Sequence, residues 1–417
     1  MFNNKDDGYI LRATTKQYYE LAAIRAESEK LFDFVSNGYS DYFQIDYSRL
    51  SHTASFVAEV IRENYPDLNI PLHSRIRHFL LSNTDLYEAY FDDGTKGNIE
   101  QLRKQIELII TSVFLDGGAG ADWSYYDDNT KSHYSRSEGL AAASFNCYRG
   151  GLYSPFLDKP CYVDGRTLQA LSEKALADEF QIREDNELIG FENRVKLVNK
   201  LGTIVETDSL FQRNGMRRLG HLADELVSLS ANNIVSTENI FATLVTSFSA
   251  LWVKENSPDS ALVGDIWRHK AVESDTNPLG LVPFHKILQW LTYSLLEPLE
   301  RFGLEVVDVE RLTGLPEYRN GGLFIDSDVL KVKSVSPTEV GLDISSEFVI
   351  EWRALTIGFL DRLRPLVVEL LTSDQQLDLT MGQFLQGGSW AAGRKIARNL
   401  RLNGEPPFKI NLDGTLF

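Results

Sequence analysis

The sequence predicts a mainly α-helical fold with one short β-hairpin insertion. Three observations carry this prediction. Apolar residues recur three and four positions apart through most of the chain. Only one stretch reads clearly as a hairpin, and no internal repeat or low-complexity linker interrupts the pattern. The chain has 417 residues, 43% of them hydrophobic, enough to bury a large core.

In chain order, "TTKQYYELAAIRAESEKLFDFVSNG" predicts a helix with Thr14 or Thr15 as N-cap and Gly38 as its stop. Leu21, Ile24, Leu31, Phe34 and Val35 form its stripe. The same periodicity predicts helices over about 51–64, 74–91, 98–115, 137–150, 164–179, 191–206, 217–230, 236–253, 283–302, 348–371 and 389–401. "STEN" is a start signal for the helix at 236, and Pro283 sits near the first position of the helix predicted at 283. In "WSYYDDNTKSHYSRS" two aromatic runs flank "DDNT", which reads as the hairpin. "LEVVDVERL" and "GGLFIDSDVLKV" add short strands, and 331–346 is a polar connection. The chain reads as one continuous unit, 1–417. The one candidate boundary falls near 210–235, between an N-terminal lobe 1–210 and a C-terminal lobe 235–417.

Charge and composition narrow the function. The net charge of -17 argues against nucleic-acid binding, which draws on a basic face to neutralise phosphates. The densest basic pieces, "HSRIRHF" and "RNGMRRLG", are short. No window reaches membrane-span length, and the N-terminus lacks the apolar core of a signal peptide, so a soluble cytoplasmic protein is expected. Two Cys exclude a Cys-rich zinc site. None of the seven His (His52, His73, His78, His133, His221, His269, His285) forms a helical ligand pair, so no metal is expected. G-x-S-x-G and phosphate-loop motifs are absent. Cys147, in an apolar run, reads as a buried structural thiol.

Polar clusters in apolar context remain. "GDIWRHK" supplies Asp265, Trp267, Arg268, His269 and Lys270; "VPFHKILQW" supplies His285 and Lys286; "LPEYRNGG" supplies Glu317, Tyr318, Arg319 and Asn320. Such clusters suit a pocket rim, and equally a set of helix caps and surface pairs. "DGGAGADW", from Asp116 to Trp123, reads as a helix C-cap and turn, or as a backbone that a ligand approaches closely. Glu351 and Arg353 in "EFVIEWRAL" read as a structural ion pair. Trp390 and Arg394 share a helix face, as a ligand grip or as an aromatic against an Arg stem.

"SRSEGLAAASFNCYRGGLYS", "GDIWRH", "LVPFHKILQWLTYSLLEPL", "LTGLPEYRNGGLF", "EWRALTIGFLDRL", "SWAAGRKIA" and "DGTLF" together resemble the fungal and bacterial uracil-catabolism family of the ribosylurea pathway, once classed as a domain of unknown function. The resemblance runs in order along nearly the whole chain. A second resemblance is to nucleosidases that cut queuosine 5′-phosphate. It rests on Asp116 with Trp123 seven residues on, "YSRSEGLAAAS", Trp267-Arg268 with "FHKILQ", and "EYR" where those enzymes have Asp-Tyr-Arg. It implies a helical fold similar to helix-hairpin-helix DNA glycosylases. The chain departs from that pattern in having Glu317 for Asp and "GGAGA" in place of bulky residues.

Taken together, the resemblances imply an N-ribosidase acting on a small nucleoside- or nucleotide-derived substrate, a ribosylurea or its 5-phosphate, without a cofactor. Glu317 is the candidate to stabilise the sugar cation. Asp116, Asp265 or His285 would protonate the leaving group. Tyr318, Arg319, Asn320, Lys286, Trp267, Arg268, Trp123, Trp390 and Arg394 are the candidate substrate contacts. An amidohydrolase acting on the ureido group, and a non-catalytic partner of a pathway enzyme, are the alternatives.

Overall fold

A computed structural model describes residues 16–91, 95–120, 122–252, 264–333, 341–372, 378–411 and 413–416. Helices dominate it, and every sheet is a two-stranded ribbon. The proposed cap at Thr14 or Thr15 lies outside the described residues; the helix itself runs Leu21–Ser36. Among the described residues no helix is long and apolar enough to cross a membrane.

The chain divides into two compact units, each assembled from separated segments. The first takes the described residues of 1–73, 254–289 and 309–411. Its centre is the helix Glu347–Leu371, which Ser346 caps by accepting from Val349 N at 3.4 Å. This helix is buried on nearly all sides through its first half, and from Phe348 to Leu360 its sequence is apolar apart from Glu351, Arg353 and Thr356. It packs on Leu21–Ser36 and Leu50–Asn64. Gly358 lets Phe32 seat directly on its backbone, since a Cβ there would lie 2.4 Å from the Phe32 ring. Two antiparallel ribbons complete this unit: Phe43–Ile45 with Leu330–Val332, and Ile266–Arg268 with Leu281–Pro283.

The second unit takes the described residues of 74–253, 290–308 and 412–417. Asn98 caps its central helix, Ile99–Phe114, by accepting from Glu100 N and Gln101 N. That helix packs on Arg136–Gly150, Phe191–Thr207 and Leu222–Ser228. The hairpin is present where the aromatic runs predict it: Ser124–Asp127 pairs with Ser132–Ser135. Asp127 ties its turn by accepting from Thr130 N and Oγ1, both at 2.9 Å. Glu305–Val307, in "LEVVDVERL", pairs in parallel with Ile234–Ser236.

Several predicted helices end or break for local reasons. Residues 74–91 hold a 3₁₀ turn (Arg75–Phe79), a tiny hairpin and a short helix (Leu86–Phe91). Ser82 (φ 49°) and Asn83 (φ 83°) both adopt left-handed backbone, which makes a turn where apolar spacing alone suggests a helix. Residues 164–179 split into Gly165–Gln169 and Glu173–Glu179, the second capped by Ser172. The helix predicted at 283 starts at Lys286, because Leu281–Pro283 is a strand and His285 is left-handed at φ 45°. In "GGLFIDSDVLKV" only Leu330–Val332 is extended; Gly321–Asp326 are helical.

Candidate functional site

The first unit gathers most of the polar clusters. Asp265 precedes the strand Ile266–Arg268 and is buried. Its Oδ1 accepts from Arg353 Nη1 at 2.8 Å and from Trp267 Nε1 at 2.6 Å. Its Oδ2 accepts from Arg353 Nη2 at 2.7 Å and from the Lys286 backbone N at 3.0 Å. Burial pushes this carboxyl up, but the bidentate Arg353 guanidinium and the other donors outweigh burial and hold it well below the usual carboxylate range. Asp265 is therefore an anion whose four donors fill its lone pairs.

Glu351 does not pair with Arg353, contrary to the expectation from "EWR". It faces His269 (Nε2 to Oε1, 3.2 Å) and accepts from Ser40 Oγ at 2.5 Å. His269 Nδ1 accepts from Ala271 N at 3.1 Å, while its buried Nε2 lies near Glu351 Oε1 without a hydrogen bond to it. The two arms, Asp265–Arg353 and His269–Glu351, fasten "GDIWRH" along one end of the Glu347–Leu371 helix.

The same anchor sets the next cluster. The Asp265 carbonyl accepts from Phe284 N and His285 N while its carboxylate takes Lys286 N. This holds His285 in its left-handed conformation, a state that costs about 1 kcal/mol in a non-glycine residue. His285 Nε2 donates to the Tyr18 carbonyl at 3.0 Å, and its ring lies 5.4 Å from that of Tyr19. Lys286 follows as the first residue of its helix and is buried.

"LPEYRNGG" crosses from a short loop, Leu315 to Glu317, into a helix. Glu317 is the N-cap of the helix Tyr318–Asp326, accepting from Arg319 N at 2.7 Å and Asn320 N at 2.6 Å. Burial raises its pKa; the two backbone donors and the Lys286 cation act against that rise without cancelling it. Arg319 donates to the Gly404 carbonyl and lies over the half-buried Tyr318 ring at 5.1 Å. Asn320 donates to the Leu315 carbonyl and accepts from Ser389 Oγ. Gly321 and Gly322 lie inside the helix and do not turn the chain. A Cβ on Gly321 would come within 2.8 Å of the Trp352 indole, so this glycine serves close packing.

Ser389 ends a π-helical turn, Leu385–Ser389, that leads into the helix Trp390–Leu400. Such turns recur at functional sites because they re-aim the side chains that follow. Arg394 lies over the Trp390 ring at 5.3 Å, and the His73 ring lies 5.6 Å from it. His73 Nδ1 also bonds Gln386 Oε1 at 2.9 Å. Arg268 is exposed, apart from the buried Trp267 beside it.

Asp116 and Trp123 belong to the second unit. Asp116 makes a close ion pair with the fully buried Arg75 and accepts from Ser137 Oγ at 3.2 Å. Arg75 Nε donates to Ser112 Oγ, whereas its buried Nη2 has no hydrogen-bond partner. Trp123 is 0% exposed, donates to the Phe180 carbonyl and stacks on the Phe180 ring. It is packed in the core of this unit. The glycines after Asp116 wrap the buried Arg194, which donates to the carbonyls of Leu115, Gly117 and Gly118. Gly117 also abuts Gly414, where a Cβ would lie 2.0 Å from the Gly414 carbonyl oxygen. Among the described residues no three His, Cys, Asp or Glu side chains gather as a metal site.

A family model described as "Protein of unknown function (DUF1688)" matches residues 18–417. The chain belongs to the DUF1688 family. Two relatives span almost their full length with it. "Protein urg3" of Schizosaccharomyces pombe is 34% identical over 411 residues, covering 97% of this chain and 99% of the relative. "Uracil catabolism protein 4" of Lachancea kluyveri is 33% identical over 437 residues, covering 96% and 98%.

Three buried polar residues, two in the second unit and one in the first, went unmarked in the sequence. Arg75 sits inside "HSRIRHF", flanked by Ile76 and Phe79, which are both buried. Arg194 lies on the stripe Arg194, Val198, Leu201, Val205 of its helix, the face that packs inward. Ser389 precedes Trp390 and shows no pattern of its own.

Proposed function

We propose that this DUF1688 protein is an N-ribosidase of uracil catabolism, acting in the cytoplasm and hydrolysing the bond between C1′ of a ribosylurea, or its 5-phosphate, and the ureido nitrogen. The name of the Lachancea kluyveri relative supports the pathway. The sequence motifs shared with phosphorylated-nucleoside nucleosidases support the reaction, and with it a helix-hairpin-helix glycosylase-like arrangement of helices. The observation that carries the reading is Glu317: a buried carboxylate, fixed by two backbone N–H groups, in the field of Lys286.

The bond pair leaves with the ureido nitrogen, and C1′ becomes an oxocarbenium-like centre. The Glu317 carboxylate stabilises that cation and takes a proton from the attacking water, whose oxygen joins C1′. The departing urea gains a proton from an acid; with Asp265 locked as an anion, His285 is the candidate within the same unit. Solvent takes the proton from Glu317 and returns one to the acid, which closes the cycle. Lys286 neutralises the 5-phosphate, with Tyr318 and Arg319 shaping the wall and Trp390 and Arg394 gripping the ligand. Both cysteines are free, which suits a reducing compartment.

A second reading is favoured by a specific observation. Each Glu317 oxygen accepts a backbone N–H, so the residue serves as a helix cap without any chemistry. On this reading the protein binds a pathway ligand or enzyme without turnover. Mass analysis of products from ribosylurea 5-phosphate separates the readings. Ribose 5-phosphate and urea are expected from the wild type; ammonia would mean an amidohydrolase, and no product a binding protein. Glu317→Gln should abolish turnover while the substrate still binds, and Lys286→Ala should raise KM before it lowers kcat. Urea release by Glu317→Gln at the wild-type rate would remove Glu317 from the mechanism.

A further inference from the structure

A cleft of about 960 Å³ opens in the second unit. It is lined by none of the candidate site residues. Its walls come from Tyr90 of the helix Leu86–Phe91, Lys104 of the helix Ile99–Phe114, the loop through Lys159, Cys161 and Tyr162, and Arg213 of the hairpin Gln212–Arg217. That hairpin is the basic piece "RNGMRRLG". Asn214 (φ 52°) and Gly215 (φ 76°) form its two-residue turn, which sets Arg213 and Met216 across from each other.

The cations of this cleft fall into two groups. Arg103 is held by Asp224 at 2.6 and 2.8 Å, and Arg218 by Glu107 at 2.7 and 3.1 Å and by Glu100 at 2.9 Å. Their charge is consumed by the fold. The second group is held less tightly. Lys104 is half-buried and takes part in no hydrogen bond or ion pair among the described residues. Lys159 lies over the Phe156 ring at 5.8 Å and has no carboxylate partner there. Arg213 comes no closer than 3.8 Å to Asp224 and 3.9 Å to Glu225, and its buried Nε has no hydrogen-bond partner. Asp158 is the one lining acid not already committed to an Arg. A surplus of cations in one concave place contrasts with a chain of net charge -17.

Aromatic surface completes the site. Tyr90 is 41% exposed, and its hydroxyl lies 2.7 Å from Cys161 Sγ. Tyr162 has Arg218 over one face at 4.4 Å. A volume of this size accepts a nucleotide-sized molecule. Lysine and arginine ammonium and guanidinium groups recognise phosphate oxygens, and an exposed phenol ring accepts a planar base. We infer that this cleft is a second ligand site, for a phosphate ester of nucleoside monophosphate size, with Lys104, Lys159 and Arg213 on the phosphate and Tyr90 against the base.

The inference is independent of the ribosidase reading, because it uses no residue of the Glu317 cluster. It is tested by calorimetric titration of the full-length protein with uridine 5′-monophosphate, ribose 5-phosphate and inorganic phosphate. Binding of at least one ester is expected, weakening as salt is raised. Lys104→Ala combined with Arg213→Ala should weaken it about tenfold or more, whereas Lys104→Arg with Arg213→Lys should retain it. Preference for the nucleotide over ribose 5-phosphate supports the role of Tyr90. Absence of binding by all three probes overturns the inference. So does equal binding by the wild type and a folded Lys104→Ala/Arg213→Ala variant.

Discussion

Replacing Arg353 by Leu isolates the strongest electrostatic element of the candidate site. Asp265 and Arg353 are 2% and 1% exposed and share two hydrogen bonds of 2.7 and 2.8 Å. In Arg353→Leu the Asp265 carboxylate keeps Trp267 Nε1 and Lys286 N but loses its cation. Removing one partner of a buried pair costs about 3–5 kcal/mol, because the remaining charge is stranded in low dielectric. The Arg353 guanidinium also lies 4.1 Å from the Phe284 ring centre, packing that Leu replaces only in part. The loss depends on pH. In the wild type the Asp265 pKa is depressed, so its stabilisation is complete above the unfolded-state value and fades as pH falls through the folded one. In Arg353→Leu burial has no cation to oppose it, the pKa rises, and protonation relieves the penalty. The stability gap between wild type and variant, measured by urea denaturation, should therefore be widest at neutral pH and narrow toward the ordinary carboxylate range. Asp265→Asn in the Arg353→Leu background should cost less than it does alone. A neutral-pH loss below about 1 kcal/mol, or a gap that is flat with pH, would refute the account of Asp265 as an anion held by Arg353.

The other predictions concern packing and protonation. Gly393→Ala places a Cβ 2.2 Å from the Arg319 carbonyl oxygen and forces the helices Trp390–Leu400 and Tyr318–Asp326 apart. It should cost about 1–3 kcal/mol in thermal unfolding, whereas Gly150→Ala, with open space around it, should be neutral or stabilising. Arg194→Met leaves four carbonyls without their donor and should cost about 3 kcal/mol or more; Arg194→Lys should recover part of this. Burial raises the Glu317 pKa, so its ionisation opposes folding as pH rises through that value, and a reaction needing the carboxylate gains rate over the same range. The acid limb of kcat/KM should lie above the ordinary glutamate range, and Lys286→Gln should move it higher, because the Lys286 cation acts against the rise. An acid limb unmoved by Lys286→Gln would uncouple the two residues.

The long helices were legible because their apolar faces are regular. Ile99–Phe114, Phe191–Thr207 and Glu347–Leu371 each begin and end within a residue or two of the periodic run. Residues 74–91 were not legible, because Ser82 and Asn83 adopt left-handed turn backbone that spacing does not encode. The ion pairs were hidden for a different reason. Glu351 and Arg353 are two apart on a helix and point to different sides, so their partners lie 82 and 88 positions away, at His269 and Asp265. Neighbouring charges in a sequence suggest each other; folded geometry matched them with a strand brought in from elsewhere. Trp123 shows the converse limit, since a buried core indole and a stacking platform look alike in sequence.

Glu317 joins these lines of argument. Sequence resemblance marks it as chemical, while local geometry explains it as a cap, an unusual one because Ser, Thr, Asp and Asn are preferred there. The longer glutamate arm reaches both Arg319 N and Asn320 N, and a shorter polar cap would meet these donors without a buried charge beside Lys286. Capping alone therefore does not account for a carboxylate that burial penalises. Ser and Asp replacements separate the two demands. If Glu317→Ser keeps the melting temperature but loses turnover, the cap is replaceable and the charge is what function uses. If Glu317→Asp restores turnover in part, the carboxylate is the reactive group and its reach sets the rate. Full activity in Glu317→Ser would leave the residue as a cap alone.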